Sequence, residues 1–150
     1  MSVHEQARRY FNSGYNCAES VLLALGRQAV LKARGSEPFI PRIATGFGGG
    51  IARNGSTCGA LAGGILAIGL VLGRDNPEMS RDLCYAAADR FYTEFIENFG
   101  TSRCRDLTEL DLKKPEDREV YESRVHEARC NPIVVWAAKR AHEIILESWR

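Results

Sequence analysis

Long hydrophobic runs and blocks of like charge are both missing from this 150-residue sequence. The longest weakly interrupted apolar run, residues 60–73, is too short and too glycine-rich to span a bilayer, and the first residues lack the apolar core of a secretory signal. The 20 basic and 19 acidic side chains are spread along the chain, which argues against a surface for nucleic acid or acidic lipid. We therefore expect a cytoplasmic protein that binds neither nucleic acid nor membrane.

Strand-like alternation of apolar and polar residues is absent as well, and so are internal repeats. Apolar residues recur instead every three or four positions, as at Val3, Ala7 and Tyr10, which is the spacing of one helix face. The pattern predicts helices over residues 3–13, from Asn16 onward, 57–73, 80–99, 115–128 and 132–149, with a short turn at 104–111. Residues 1–150 should form a single all-α domain of about five to seven helices, packed around the glycine-rich apolar helix at 57–73.

No two of the five cysteines are arranged as C-x-x-C. The spacings are 41 residues from Cys17 to Cys58, 46 on to Cys104 and 26 on to Cys130. They exclude the thioredoxin motif, zinc fingers and the common ferredoxin patterns, so that any shared site has to be assembled by the fold. Because cytoplasmic thiols are kept reduced, several cysteines favour metal binding or redox chemistry over structural disulfides.

Four of the cysteines, here called the pattern cysteines, share a position at a predicted helix start. Cys17 follows Asn16, Cys58 follows Ser56 and Thr57, Cys104 follows Thr101 and Ser102, and Cys130 precedes Asn131 and Pro132. Asn, Ser and Thr cap first helical turns, and Pro suits the first helical position. A sulfur placed there faces free amides and the positive end of the helix dipole, which favour the thiolate. We therefore expect the four to converge, and Cys58 to have a pKa below the roughly 8.5 of a free cysteine.

The fifth cysteine and the histidines have simpler interpretations. Cys84 lies in mid-helix on an apolar stripe, and we predict a structural thiol buried against Ala88 and Phe91. Leu83 should face inward on the same helix. The histidines lie among charged neighbours and are predicted to be surface residues: His4, His126 and His142.

A glycine-rich stretch precedes Cys58. Residues 46–50 lack the Gly-Lys-Ser/Thr of a P-loop, so tight turns around Cys58 are predicted rather than a phosphate cradle. Gly59 and Gly63 lie one turn apart on one helix face, where another backbone or a cofactor can approach closely. Three arginines flank this region and are interpreted as solvated charges, with a role in lowering a thiolate pKa or steering an anionic partner as the alternative: Arg53, Arg103 and Arg105.

Taken together, these segments resemble the C_GCAxxG_C_C family of redox proteins. The segments that carry the resemblance are Gly14-Tyr-Asn-Cys17-Ala-Glu-Ser-Val, Gly46-Phe-Gly-Gly-Gly-Ile-Ala-Arg, Cys58-Gly-Ala-Leu-Ala-Gly63, Phe99-Gly-Thr-Ser-Arg-Cys104-Arg-Asp-Leu, and Cys130 ahead of the last helix. The resemblance implies a helical protein with redox-associated cysteines at 17, 58, 104 and 130, and it leaves Cys84 outside the pattern. The chain is also similar to the cysteine-containing domain of split-Soret cytochrome c, where such cysteines are associated with an iron–sulfur centre. A c-type haem is not expected, because no C-x-x-C-H occurs.

Three hypotheses follow for function, none of which assigns an enzymatic reaction. In the first, the pattern cysteines bind an iron–sulfur cluster as cofactor and the protein transfers electrons to a redox partner protein. In the second, Cys58 is the nucleophile of a thiol–disulfide module and Cys17 or Cys104 resolves it, without a metal. In the third, the four sulfurs hold a structural zinc ion in a helical interaction domain. A second copy of the chain is a further partner to consider.

Overall fold

Helix α4 (Gly59–Leu72) lies at the centre of the protein, as the sequence predicts. We describe the fold from a computed structural model, which describes residues 1–149. The helix is apolar on all sides, so it must be covered on all sides, and it packs against four other helices. The helices are α1 (Val3–Asn12), α2 (Cys17–Gly26), α3 (Ala29–Lys32), α4, α5 (Asp82–Phe99), α6 (Cys104–Thr108), α7 (Pro115–Val120) and α8 (Asn131–Ser148).

The all-α prediction is confirmed for residues 1–149, where no strand is formed. Two 3₁₀ turns, Glu37–Phe39 and Arg42–Phe47, connect α3 to the glycine-rich loop, and a π-helical segment, Tyr121–Cys130, joins α7 to α8. Within residues 1–149, the only β-type contact is one antiparallel bridge between Thr57 and Arg103. None of the described helices is long and apolar enough to cross a membrane.

Small residues let α2 and α4 approach each other closely. A β-carbon at Gly63 would lie 2.7 Å from the Ala18 carbonyl oxygen, so the backbones of the two helices are almost in contact. Helix α8 covers another side of α4 and also packs on α1, while α5 covers α4 with Phe91 and Phe95, which are fully buried. The start of α2 is therefore fixed against the start of α4, where two of the pattern cysteines lie.

The last third of the chain differs from the prediction of two separate helices at 115–128 and 132–149. Residues 115–148 are helical throughout, because the Asn131 amide hydrogen-bonds to the His126 carbonyl and carries the helix across the expected gap. Hydrogen bonds between residues five apart, the mark of a π-helix, replace the α-helical pattern over Tyr121–Cys130. Cys130 consequently lies inside a continuous helix rather than at a free helix start.

Helix α5 also departs from its predicted inward face at its first turn. Ala87, Phe91 and Phe95 are buried as expected, but Leu83 is 52% exposed and Cys84 is only half-buried. The residues just before Leu83 are exposed as well, so this end of α5 extends beyond the helices that cover the rest of it. The prediction that Leu83 faces inward is wrong, and Cys84 packs at the edge of the core rather than in it.

Candidate functional site

The four pattern cysteines line one pocket with a volume of about 560 Å³. They come from four separate parts of the chain, the starts of α2, α4 and α6 and the junction of the π-helical segment with α8. All five cysteines of the protein are free thiols, and Cys84 does not line this pocket. We call this cavity the cysteine pocket.

Cys17 is placed by a cap at the start of α2. The Asn16 side chain accepts a hydrogen bond from the Glu19 amide at 2.8 Å, and the Glu19 carboxylate accepts one from the Asn16 amide at 3.0 Å. This capping box confirms the predicted cap at Asn16. The Cys17 sulfur accepts hydrogen bonds from backbone amides that include those of Ala18, Gly49 and Gly59. Three chain segments therefore supply amide donors to one sulfur.

Cys58 and Cys104 are placed by the single β-bridge. The Cys58 amide donates to the Ser102 carbonyl and the Cys104 amide to the Ser56 carbonyl, both at 2.7 Å, on either side of the Thr57–Arg103 pair. Because neighbouring residues of an extended strand point to opposite faces, Cys58 and Cys104 share one face and the bridge pair takes the other. The burial agrees with this alternation, since the two cysteines are 7% and 8% exposed while the Arg103 side chain is 66% exposed.

The caps predicted for the other cysteines differ from those observed. Cys58 is itself the residue that precedes α4, so neither Ser56 nor Thr57 caps that helix, and Arg103 occupies the same position before α6. The Cys58 sulfur still accepts hydrogen bonds from the Ala60 and Leu61 amides in the first turn of α4. Amides at a helix start therefore donate to the sulfurs of Cys17 and Cys58, as the sequence predicts. Cys130 lies inside a continuous helix and has no free helix start beside it.

The pKa expected for Cys58 is contradicted by the structure. Burial raises the pKa of the Cys58 thiol well above its usual value, and the neighbouring Cys17 sulfur adds to the shift, while the two helix amides oppose it only in part. Burial likewise raises the pKa of Cys17, that of Cys104 to about 11 and that of Cys130 to about 12. Desolvation of a thiolate thus outweighs the amide donors, and the metal-free site holds neutral thiols at neutral pH.

The glycine-rich loop before Cys58 forms a left-handed turn against the pocket. Gly49, Gly50 and the three residues after them all have φ between 48° and 69°. A β-carbon at Gly50 would lie 2.6 Å from the β-carbon of Cys104, so this position has no room for a side chain. Ile51, Ala52 and Arg53 adopt a conformation that disfavours L-residues by about 1–2 kcal/mol each, a strain that the surrounding structure must hold. The tight turns predicted around Cys58 are confirmed.

The flanking arginines have different environments. Arg53 lines the cysteine pocket, whereas Arg103 and Arg105 pair with carboxylates, Arg103 with Asp106 at 3.8 Å and Arg105 with Asp111 at 3.0 Å. Both pairs are exposed for the most part, so they contribute little to stability. Arg53 is the one of the three that faces the site.

Two further pocket residues were not among the predicted site residues. Tyr121 and His126 belong to the π-helical segment and line the pocket beside Cys130. The His126 ring stacks on Phe11 with centroids 3.8 Å apart, so the prediction that His126 is a surface residue is wrong. In an α-helix Tyr121 and Cys130 would lie on opposite faces, and for that reason no sequence pattern pointed to Tyr121. Of the other histidines, His142 is half-buried on α8, and His4 lies near the N-terminus, where its ring contacts the Ser2 hydroxyl at 3.2 Å.

The sulfurs share the pocket without forming the site of a single ion. Within residues 1–149, no three Cys, His, Asp or Glu side chains are close enough together to hold one metal ion. A tetrahedral zinc ion with Zn–S bonds of about 2.3 Å requires its sulfurs to lie within roughly 4 Å of one another. An iron–sulfur cluster instead distributes its cysteines over several iron atoms, so the donor chemistry of four thiols around a wider pocket suits a cluster.

Comparison with known proteins agrees with the cysteine pattern. The sequence matches the family described as "Putative redox-active protein (C_GCAxxG_C_C)" over residues 15–144, a range that contains all four pattern cysteines. An "Uncharacterized protein" of Archaeoglobus fulgidus is 32% identical over 161 aligned residues, which cover 99% of this chain and 96% of that protein. No solved structure matches.

Proposed function

The chain belongs to the C_GCAxxG_C_C family, and on that premise we propose that it is an electron-transfer protein whose pattern cysteines hold an iron–sulfur cluster. One observation carries the proposal: four thiols from four separate chain segments line one pocket. Core packing alone does not explain why these four cysteines share one pocket, because the fifth cysteine, Cys84, packs at the edge of the core and does not line it.

The backbone around the sulfurs suits a negatively charged group. Cys17 accepts amide hydrogen bonds from α2, from α4 and from the glycine-rich loop, and Cys58 accepts two from the first turn of α4. These donors stabilise charge on the sulfurs that the buried pocket otherwise disfavours. When bound, a cluster would supply one-electron chemistry, and hydrogen bonds to its sulfurs would raise its reduction potential.

The alternatives have less support from the geometry. A structural zinc ion needs four ligands grouped around one point, and within residues 1–149 no three Cys, His, Asp or Glu side chains are grouped so as to hold one ion. A thiol–disulfide module needs a reactive thiolate, whereas burial raises the pKa of all four thiols. Cys17 is the sulfur that acts most strongly on Cys58, and Cys104 shares a face of the bridge with it, so both pairs are examined in the test below.

Anaerobic purification tests the proposal. We expect a brown protein with a broad visible absorption band and with iron and acid-labile sulfide bound. Replacement of each pattern cysteine by serine should remove the band or reduce iron severalfold. Cys84→Ala is the matched control: it should retain iron and lose about 1 kcal/mol of unfolding free energy, because only edge packing is removed.

Other results would overturn the proposal. A colourless anaerobic protein with one zinc ion per chain would support the structural zinc site. A colourless, metal-free protein in which Cys58 forms a disulfide reversibly with Cys17 or Cys104 would support the thiol–disulfide module. Loss of iron in Cys84→Ala would show that the pocket does not define the cofactor site.

A further inference from the structure

The π-helical segment places a tyrosine next to the pattern cysteines. Tyr121 and Cys130 are nine residues apart and stand at the two ends of this segment. At 3.6 residues per turn, nine residues of α-helix would put them half a turn out of phase, on opposite faces. A π-helix holds more residues in each turn, so after two turns the two side chains return to the same face. Both line the cysteine pocket.

The Tyr121 hydroxyl lies among the sulfurs. It lies beside the Cys130 sulfur in the pocket lining, within reach of a hydrogen bond, and Cys17 and Cys104 are nearby. An ordinary phenol carries its proton at neutral pH, so toward a sulfur that carries charge the Tyr121 hydroxyl acts as the donor.

Aromatic packing holds the phenol ring in this position. The Tyr121 ring meets the edge of His126 with centroids 5.7 Å apart and planes at 84°. His126 in turn stacks on Phe11 of α1, which is buried in the core. Helix α1 thus supports the Tyr121 ring through His126, and this packing sets the direction of the hydroxyl.

We propose that Tyr121 is a positioning residue of the cysteine pocket, which donates its hydroxyl proton in a hydrogen bond to the Cys130 sulfur and stabilises negative charge there. The inference deepens the proposed function and rests on it for its redox consequence. Loss of the hydroxyl should make the bound cluster harder to reduce, because a hydrogen bond to a cluster sulfur raises the potential. The hydrogen bond itself can be tested without any cluster.

Tyr121→Phe removes the hydroxyl and keeps the ring that packs on His126. Tyr92→Phe is the matched control, because Tyr92 lies on α5 outside the cysteine pocket and is 43% exposed. In cluster-loaded protein we expect Tyr121→Phe to shift the redox equilibrium toward the oxidised form by roughly tenfold, about 59 mV for one electron. Iron content should stay near that of the natural protein, and Tyr92→Phe should change neither quantity.

A second measurement uses metal-free, reduced protein. Alkylation of Cys130, followed by peptide mass spectrometry at one pH near 8, should be severalfold slower in Tyr121→Phe than in Tyr92→Phe, because the thiolate has lost its donor. A natural protein without any cluster would refute the proposed function and leave this measurement to decide the role of Tyr121. Equal alkylation rates in the two variants, or an unchanged potential in a loaded Tyr121→Phe, would overturn the inference.

Discussion

At the scale of single residues, Gly59 decides how closely the Cys17 sulfur can approach α4. A β-carbon at position 59 would overlap the Cys17 sulfur and would also lie 3.0 Å from the Phe47 carbonyl oxygen. We expect Gly59→Ala to cost about 1–3 kcal/mol of unfolding free energy and to reduce bound iron, because Cys17 must move away from its amide donors. Urea denaturation and iron analysis measure the two effects.

Gly69→Ala supplies the control on the same helix. A β-carbon at Gly69 would meet no atom within 4 Å, so alanine should stabilise α4 by up to about 1 kcal/mol through its higher helix propensity. The two substitutions are chemically identical and are predicted to have opposite signs. A similar gain in stability in both variants, with iron unchanged, would show that the close approach at Gly59 places no constraint on Cys17.

The predictions made for single residues succeeded where the decisive neighbours are close in sequence. Asn16 caps α2 as predicted because its partner Glu19 is three residues away. The pKa of Cys58 went the opposite way, because it depends on how much of the fold covers the sulfur, and a helix-start argument counts only the local amides. The surface prediction for His126 failed for the same reason, since its stacking partner Phe11 is 115 residues earlier in the chain.

At the scale of elements, the capping box of α2 links a helix start to the site. Asn16 also donates from its side-chain amide to the Thr45 carbonyl at 3.0 Å, which holds the turn before the glycine-rich loop against α2. Asn16→Ala should cost about 1–2 kcal/mol and should also lower iron retention, because the start of α2 carries Cys17.

Helix α1 has a capping box of the same type, formed by Ser2 and Glu5, away from the cysteine pocket. Ser2→Ala should therefore cost about 1 kcal/mol and leave iron retention unchanged. Thermal denaturation and iron analysis of the two variants separate loss of a cap from loss of the site. Equal iron retention at equal loss of stability would show that the α2 cap supports the helix without positioning Cys17.

The π-helical segment shows where prediction of elements stops. Residues 115–130 contain no glycine and no proline after Pro115, so the sequence predicts a helix there and a helix is formed. No local pattern reports whether each turn closes after four residues or five, and the segment contacts α6 and, through His126 on Phe11, α1, which lie far away in the sequence. The choice determines which residues meet Cys130, and therefore Tyr121 could not be predicted as a site residue.

At the scale of the whole molecule, the convergence of four distant sulfurs is the main consequence of the fold. Helix α4 fixes the starts of α2 and α8 against each other, and the β-bridge adds the segment before α6. The shared helix-start positions predict that the four sulfurs lie together only if one assumes that they bind a common cofactor. The structure achieves it with backbone contacts, such as the close approach at Gly63, that exist without a cofactor.

The buried thiols should make the metal-free protein less stable at high pH. Cys104 and Cys130 have folded-state pKa values of about 11 and about 12, above the roughly 8.5 expected for an unfolded chain. Between these values the folded state keeps protons that the unfolded state has lost. The thiols therefore contribute their full stabilisation below about pH 8.5, and it is lost as the pH rises toward 11–12, at up to about 1.4 kcal/mol per pH unit for each thiol.

Urea denaturation of reduced, metal-free protein at pH 7.5 and at pH 10 measures this loss. Lysine and tyrosine side chains also titrate near pH 10, so the comparison needs a variant that lacks one buried thiol. Cys104→Ala should lose less stability than the natural protein between the two pH values, with a difference of about 1–2 kcal/mol, although it starts from a lower value at pH 7.5 because a buried side chain is truncated. Identical losses in the two proteins would mean that Cys104 is not held neutral by burial. The same burial implies that loading a cluster at neutral pH must displace protons from the thiols, so that reconstitution should become more favourable as the pH rises toward 8.5.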